Sequence, residues 1–198
     1  MLAGEGNDEA LVARAGRGDR AAASTLILRH TDRIFSLCRR MLGDHAAAED
    51  ATQETFLKLW KNASRWRPQG AKFETWLYRV AMNVCLDRLR RSGREKPEDA
   101  VPEVIDGALR ADEQIMAEQR RETVDAALAK LPERQRMAIT LCHYQELSNI
   151  EAAEIMEVSI EALESLLARG RRALKTSLLA RRAELMEGAP YDASNAVY

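Results

Sequence analysis

Apolar residues recur at helical spacing along two separate stretches of this chain, from Asp8 to about Arg91 and from about Glu113 to beyond Arg182. A polar segment broken by prolines divides them. Spacing of this kind buries one stripe of each helix and leaves the other wet, so each stretch needs partner helices of its own to cover its stripe. β-Branched residues are scattered and not gathered into runs, while Ala, Leu, Glu and Arg are abundant, which favours helix over sheet. The expectation is an all-α protein of two small helical domains joined by a flexible acidic linker.

Turn signals at Gly16 to Asp19, Gly43-Asp44 and Pro68 to Gly70 divide the first stretch into helices near 8–15, 19–29, 30–42, 45–62 and 72–92. Asp19 and Asp44 are expected to cap helices, because a carboxylate there accepts a bond from an orphan amide of the first turn. The second stretch predicts helices near 113–130, 133–144, 148–156 and 159–182. The domain bounds that follow are 8–92 and 113–182, with a linker at 93–112 and a disordered tail over 183–198.

With 198 residues the chain is long enough to bury real cores. Its net charge of −1 conceals an uneven distribution. Residues 1–94 hold 17 Lys and Arg against 11 Asp and Glu, residues 95–118 hold 2 against 8, and residues 119–198 hold 11 against 12. A basic first half suits a polyanionic partner, since phosphate neutralisation supplies most sequence-independent affinity for nucleic acid. A solvated surface would explain it equally well. Cys38, Cys85 and Cys142 lie far apart in helical patterns and read as buried, reduced thiols. His30, His45 and His143 show no ligand spacing with them, so neither metal nor cofactor is assigned. No apolar run approaches the ~20 residues of a membrane span, and the first residues lack a signal-peptide pattern, which predicts a cytoplasmic protein with no membrane span.

The segment from Leu147 to Lys175 has the layout of a helix-turn-helix. Ser148 and Glu151 stand at capping-box spacing, Ile150, Ala153 and Ile155 supply a packing face, and Met156-Glu157-Val158 makes the turn. Ser159 caps the second helix, which Ala162, Leu163, Leu166 and Leu167 anchor. Such a second helix enters the major groove of duplex DNA with its first residues at base edges. Ile160, Glu161, Glu164, Ser165 and Ala168 are then the candidate readers, beside Ser159 itself, and Arg169, Arg171, Arg172 and Lys175 suit phosphates. Glu161 and Glu164 either accept a bond from cytosine N4 or merely complement the helix dipole. Gly170, inside this helix, costs ~1 kcal/mol against alanine, and nothing in the sequence accounts for it.

In the first half, EDATQETFLKLW (Glu49 to Trp60) is amphipathic, with Ala51, Thr55, Phe56, Leu59 and Trp60 on its apolar face. Periodicity alone makes it an ordinary surface helix. The next helix, KFETWLYRVAMNVCLDRLRR (Lys72 to Arg91), interleaves aromatics with cations around core residues Leu77, Val80, Ala81 and Val84. That mixture suits a surface that stacks unpaired bases and tracks a phosphate backbone, though Trp76 fits a core equally well.

Together these segments resemble the extracytoplasmic-function branch of the sigma-70 family over roughly Asp8 to Leu178. AEDATQETFLKLWKN and FETWLYRVAMNVCLDRLRR are similar to its region 2, and LPERQRMAITLCHYQELSNIEAAEIMEVSIEALESLLARGRRAL to its region 4. The resemblance implies a noncatalytic sigma factor that gives promoter specificity to RNA polymerase. It implies that Asp50, Gln53, Glu54 and Leu57 dock on the β′ clamp helices of core polymerase. The loop from Trp66 to Lys72 and the following helix would bind the non-template strand of the minus-ten element. Lys72, Phe73, Trp76, Tyr78, Arg79, Asn83, Asp87, Arg90 and Arg91 are the candidates. Region 4 would read the minus-thirty-five element of promoter DNA and touch the β flap, the linker would enter channels that later hold RNA, and an anti-sigma factor would hold the protein until a stress signal. Many relatives carry Gly-Thr-Val and a basic residue early in the recognition helix where this chain has Glu161-Ala162-Leu163-Glu164, so its promoter sequence does not transfer. Two other classes compete: a stand-alone helix-turn-helix regulator, and an enzyme, for which no nucleophile–base pair, phosphate loop or metal spacing is present.

Overall fold

The computed structural model describes residues 7–67, 72–95 and 123–187. Four helices form the first half: α1 (Asp8–Ala15), α2 (Arg20–Leu42), α3 (His45–Asn62) and α4 (Phe73–Glu95). Both expected aspartate caps are present. Asp19 accepts from the amides of Ala21 and Ala22, and Asp44 accepts from Ala47. Gly43, in the left-handed region at φ 74°, ends α2 where a side chain would be strained.

The expected break between residues 29 and 30 does not exist. α2 runs unbroken because nothing in that stretch removes a backbone donor or frees the chain, and Thr25 and Thr31 turn their hydroxyls back onto the carbonyls of Ala21 and Ile27. Its apolar stripe of Leu26, Ile34, Leu37 and Met41 is fully buried against α3 and α4. Ala48 and Ala51 of α3 let those backbones come close, and Leu77, Met82 and Val84 of α4 complete the core.

The second half comprises the helical residues 123–129 (α5), α6 (Glu133–Ile139), a π-helical turn at Thr140–Tyr144, α7 (Asn149–Met156) and α8 (Ile160–Glu187). The helix expected over 133–144 therefore ends as a π turn, and α8 extends through Glu187, beyond the expected boundary at 182. The remainder of the proposed linker, the start of the helix at 113–130 and the tail from 188 lie outside the described residues. Leu128, Leu141 and Leu163 centre this smaller core.

Tertiary packing accounts for Gly170. A Cβ there would come within 2.7 Å of Ile139 Cδ1, the movable end of that side chain, and 3.3 Å of its Cγ1, so the close crossing of α6 and α8 favours a residue without a side chain here.

The halves touch. The buried guanidinium of Arg136 in α6 donates to the carbonyl of Met41 at the end of α2 (2.6 Å), and to those of Leu131 (3.2 Å) and Ala129. Gln145, also buried, donates to the Arg33 carbonyl at 3.3 Å, and the Arg40 guanidinium lies 3.9 Å from the centre of the Tyr144 ring. The π turn sets this register, since its wider winding delivers Tyr144 and Gln145 to α2.

Candidate polymerase and nucleic-acid interfaces

Three helical faces carry the residues singled out from the sequence. On α3, Asp50, Gln53 and Leu57 are exposed and Glu54 is half-buried. Spaced i, i+3, i+4 and i+7, these four form one stripe. Arg88 of α4 braces it, reaching Glu54 at 3.1 Å and Asp50 at 3.6 Å, while Lys58 meets Glu54 at 3.2 Å. Burial opposes ionisation of Glu54, but its bonds from Lys58 and Arg88 outweigh that and hold the carboxyl below its ordinary 4.5. Trp60 departs from expectation: it lies outside the core, 45% exposed, next to Leu57 at 61%. Thr52 takes the buried position, with its hydroxyl bonded to the Ala48 carbonyl at 2.7 Å. The i+3 step from Leu57 to Trp60 was the available signal for this, and aromatic bulk pointed the other way.

On α4 the candidates separate into two sets. Lys72, Trp76, Arg79, Asn83, Asp87 and Arg90 follow one another at steps of three or four residues, forming a single stripe with Arg91 at its edge. Lys72, Asn83, Asp87, Arg90 and Arg91 are exposed, while Trp76 and Arg79 are half-buried. Phe73 and Tyr78 lie off the stripe and in the core, 2% and 3% exposed. Phe73 is the hub of an aromatic cluster, with Trp66 5.7 Å away edge-on and Trp76 5.9 Å away. It props both indoles where the loop enters the helix; residues 68–71 of that loop lie outside the described residues.

On α8, Ser159, Ile160, Glu161, Glu164, Ser165, Ala168, Arg169, Arg171, Arg172 and Lys175 are all exposed. The helix-turn-helix is built as its sequence indicates. Ser148 and Glu151 close a full capping box, Glu157 turns the chain through φ 52°, and the Ser159 hydroxyl accepts from Ala162 at 3.2 Å. Packing differs in detail: Ile150 is 68% exposed and Ala162 is exposed, and Ala152 and Met156 fill the buried places beside Ile155, Leu163 and Leu167. The Glu161 carboxyl is held below its ordinary value by its own amide and the Ser159 hydroxyl, the geometry of a helix-dipole partner. Glu164 lies 3.5 Å from the amide nitrogen of Asn149.

Of the cysteines, Cys38 and Cys85 are buried and free of disulfides, whereas Cys142 is only half-buried. Among the described residues, one group, Asp8, His30 and Glu74, gathers possible metal ligands. His30 Nε2 is already 2.8 Å from Asp8 Oδ2, Arg29 pairs with Asp8, and Arg33 lies 3.6 Å from Glu74. With two guanidiniums on its carboxylates, the group is an ion-pair cluster tying α1, α2 and α4 together. No described helix is long and apolar enough to cross a membrane.

Comparison with known proteins matches Sigma-70 region 2 to residues 26–95 and Sigma-70, region 4 to residues 121–174. The chain is 34% identical over 173 residues to the ECF RNA polymerase sigma factor SigW of Bacillus subtilis, covering 82% of this chain and 91% of that one. It belongs to the ECF RNA polymerase sigma factors. The ECF RNA polymerase sigma-E factor of Salmonella typhimurium is 33% identical over 179 residues, with 84% and 92% covered. Among solved structures, CnrH in complex with the cytosolic domain of CnrY superposes with a TM-score of 0.65 at 26% identity, covering 87% of this chain and 97% of that one. The sigma factor RpoE of Bartonella quintana shares the fold, with a TM-score of 0.63 and 23% identity over 78% and 95% of the two chains. As a sigma factor, this chain works with RNA polymerase in promoter-specific initiation, and the two matched regions fall in its two helical halves.

Proposed function

We propose that each of the three faces carries one step of initiation. The α3 stripe, with Leu57 and Trp60 as apolar anchors between Asp50, Gln53 and Glu54, docks on the β′ clamp helices. The α4 stripe takes the unpaired non-template strand of the minus-ten element: Trp76 stacks, Lys72, Arg79, Arg90 and Arg91 meet phosphates, and Asn83 and Asp87 offer hydrogen bonds to bases. Phe73 and Tyr78 position this face from beneath. The α8 face reads the minus-thirty-five duplex, with Arg169, Arg171, Arg172 and Lys175 on phosphates, while region 4 also contacts the β flap. Strand melting is driven by binding, with stacking and phosphate contacts offsetting lost pairing, so the protein acts without catalysis of its own. Its place of work is the cytoplasm, where an anti-sigma factor holds it until a stress signal arrives. The likeness to CnrH, solved with the cytosolic domain of CnrY, supports such a partner.

One observation carries this reading. An acidic-apolar face, an aromatic-cationic face and a helix-turn-helix occur on three different helices of one chain, and a stand-alone regulator needs only the last. The test is transcription in vitro by core polymerase plus this chain, with the start sites sequenced. Aligned starts preceded by two common elements are expected. Failure to bind core polymerase, or duplex binding unaffected when Gln53 and Leu57 are replaced in a chain that activates nothing, would leave the regulator reading.

A further inference from the structure

α1 lies ahead of the residues matched to Sigma-70 region 2, and none of the three proposed faces uses it. Its eight residues span about 12 Å, and both of its ends meet supports of the aromatic cluster at the entry to α4. At the first end, Asp8 Oδ2 lies 2.8 Å from Nε2 of His30, a buried side chain of α2. A carboxylate only accepts, so this nitrogen donates and the imidazole is held in one orientation. The ring meets Phe73 edge-on, with 5.5 Å between centres and 68° between planes. Phe73 in turn stands against Trp66 and Trp76, so a line of contacts runs from Asp8 through His30 and Phe73 to both indoles.

At the other end, Gly16 follows α1 with φ −64°, which any residue adopts, so closeness is what a side chain would upset there. A Cβ on it would stand 2.7 Å from the Ser64 amide nitrogen and 2.8 Å from the carbonyl carbon and oxygen of Ala63. These are main-chain atoms, with no rotamer to retreat into. The turn they begin is tight. The amides of Arg65 and Trp66 both donate to the Asn62 carbonyl at 2.9 Å, and the Arg67 guanidinium donates to the carbonyls of Ser64 and Trp66 at 3.0 and 2.8 Å. Displacing residue 64 therefore carries Trp66 with it. We propose that α1 is a positioning element for minus-ten capture: Asp8 and His30 set Phe73, Gly16 sets the turn that carries Trp66, and together they fix where the two indoles stand. This inference rests on the reading of α4 and its entry loop as the strand face.

Ordinary packing accounts for Leu11, Val12 and Ala15, which are buried as α1 lies on α2. It does not account for Asp8 or Gly16. A buried imidazole destabilises unless it is bonded, and an apolar side chain at position 30 would have no need of Asp8. Arg29 pairs with Asp8, and Arg33 lies 3.6 Å from Glu74, the residue after Phe73, so the same cluster also ties down the first turn of α4. The contacts at the two ends of α1 are separate in sequence and in chemistry, yet they converge on one aromatic cluster. Stacking on a base requires an indole face at a set place and angle, so small displacements of these supports reach the strand.

The test uses the full chain, free for spectroscopy and bound to core polymerase for function. Labelled with fluorotryptophan, its three tryptophans, Trp60, Trp66 and Trp76, give separate fluorine resonances, assigned by single replacement with phenylalanine. Opening is followed by aminopurine fluorescence on a promoter located by the start-site assay. Asp8→Ala is expected to move the Trp66 and Trp76 resonances, and Gly16→Ala that of Trp66, while Trp60 on α3 stays. In both variants opening should fall about threefold to tenfold, the scale of one lost aromatic contact, with core-polymerase affinity unchanged. Asp8→Asn keeps an acceptor for His30 and drops the charge that Arg29 meets, so its resonances and opening should stay near those of the unaltered chain. Arg14→Ala, which breaks the pair with Asp19 at the same helix, is expected to change neither. If Asp8→Ala melts early, His30→Gln takes its place, keeping a donor for Asp8 while removing the ring from Phe73. Unmoved resonances, moved resonances with unchanged opening, or opening and core affinity falling together each overturn the role of α1. A loss in Asp8→Asn as deep as in Asp8→Ala overturns the part played by the His30 bond. Opening that survives Trp76→Ala is a different failure, that of the strand-face reading, and it overturns the inference with it.

Discussion

The recognition face of α8 and the stripe of α4 are both long cationic helical surfaces, yet one is open and the other is engaged. On α8 the cations project from a helix held by only one side, through Leu163, Leu167 and the Gly170 crossing. On α4 the helix is held from beneath by Leu77, Met82 and Val84, and two of its cations are met from above by α7. A duplex-reading surface binds weakly to any DNA and loses little by standing open. An aromatic-cationic surface has the composition that suits a single strand, the partner proposed for α4.

The comparison breaks most readily at the anchor of α8. Leu163 has no exposed surface, so Leu163→Ala should destabilise the second half by about 2–5 kcal/mol and abolish duplex binding, followed by urea unfolding and fluorescence anisotropy. If the halves are separate units, core-polymerase binding through α3 persists. If they melt together in one transition, they form a single cooperative body. Next in size, Trp60→Ala should weaken core-polymerase binding by about 2 kcal/mol, roughly thirtyfold in Kd, because a half-exposed indole beside Leu57 has the composition of an interface anchor. The melting temperature should hardly move, and a large fall would return Trp60 to the core. Arg169→Ala should lower duplex affinity several-fold and reduce the slope of log K against log salt by about 1. An unchanged slope would remove Arg169 from the phosphate contacts.

The smallest effect concerns pH. The Glu151 carboxyl is held below its ordinary 4.5, first by the Ser148 hydroxyl and amide and then by Lys72, with burial opposing. Its folded value is depressed, so its contribution to stability is complete above the unfolded value and is lost as pH falls through the folded one. Denaturant midpoints measured from about pH 6 to pH 3 should decline, and Glu151→Gln should flatten part of that decline. An identical decline in the variant would assign it to other carboxylates.

Periodicity made most of this architecture legible. The bounds of α1 and α3 match the sequence expectation, as do the aspartate caps and the capping box, because each is set by residues within a few positions of one another. Individual burial was less legible. Ile150 and Trp60 were placed on apolar faces by helical spacing, and Phe73 and Tyr78 were placed on the strand face by the resemblance, but which side of a helix is covered depends on helices far away in sequence. The division of α4 into a stripe and a core set follows the helical period, yet only the packed helix settled which set was the stripe.

By itself the sequence determined the all-helical class, the bounds of α1 and α3, the caps, the helix-turn-helix and the family, since these rest on local chemistry and on motif order. Tertiary structure alone decided that Gly170 sits at a close crossing with Ile139, where the buried charge of Arg136 finds its acceptors, and that Glu151 and Glu154 lie against Lys72 and Arg79. Those are contacts between residues tens of positions apart, and no spacing rule within a helix can anticipate which distant carbonyl or carboxylate the folded chain brings to meet them.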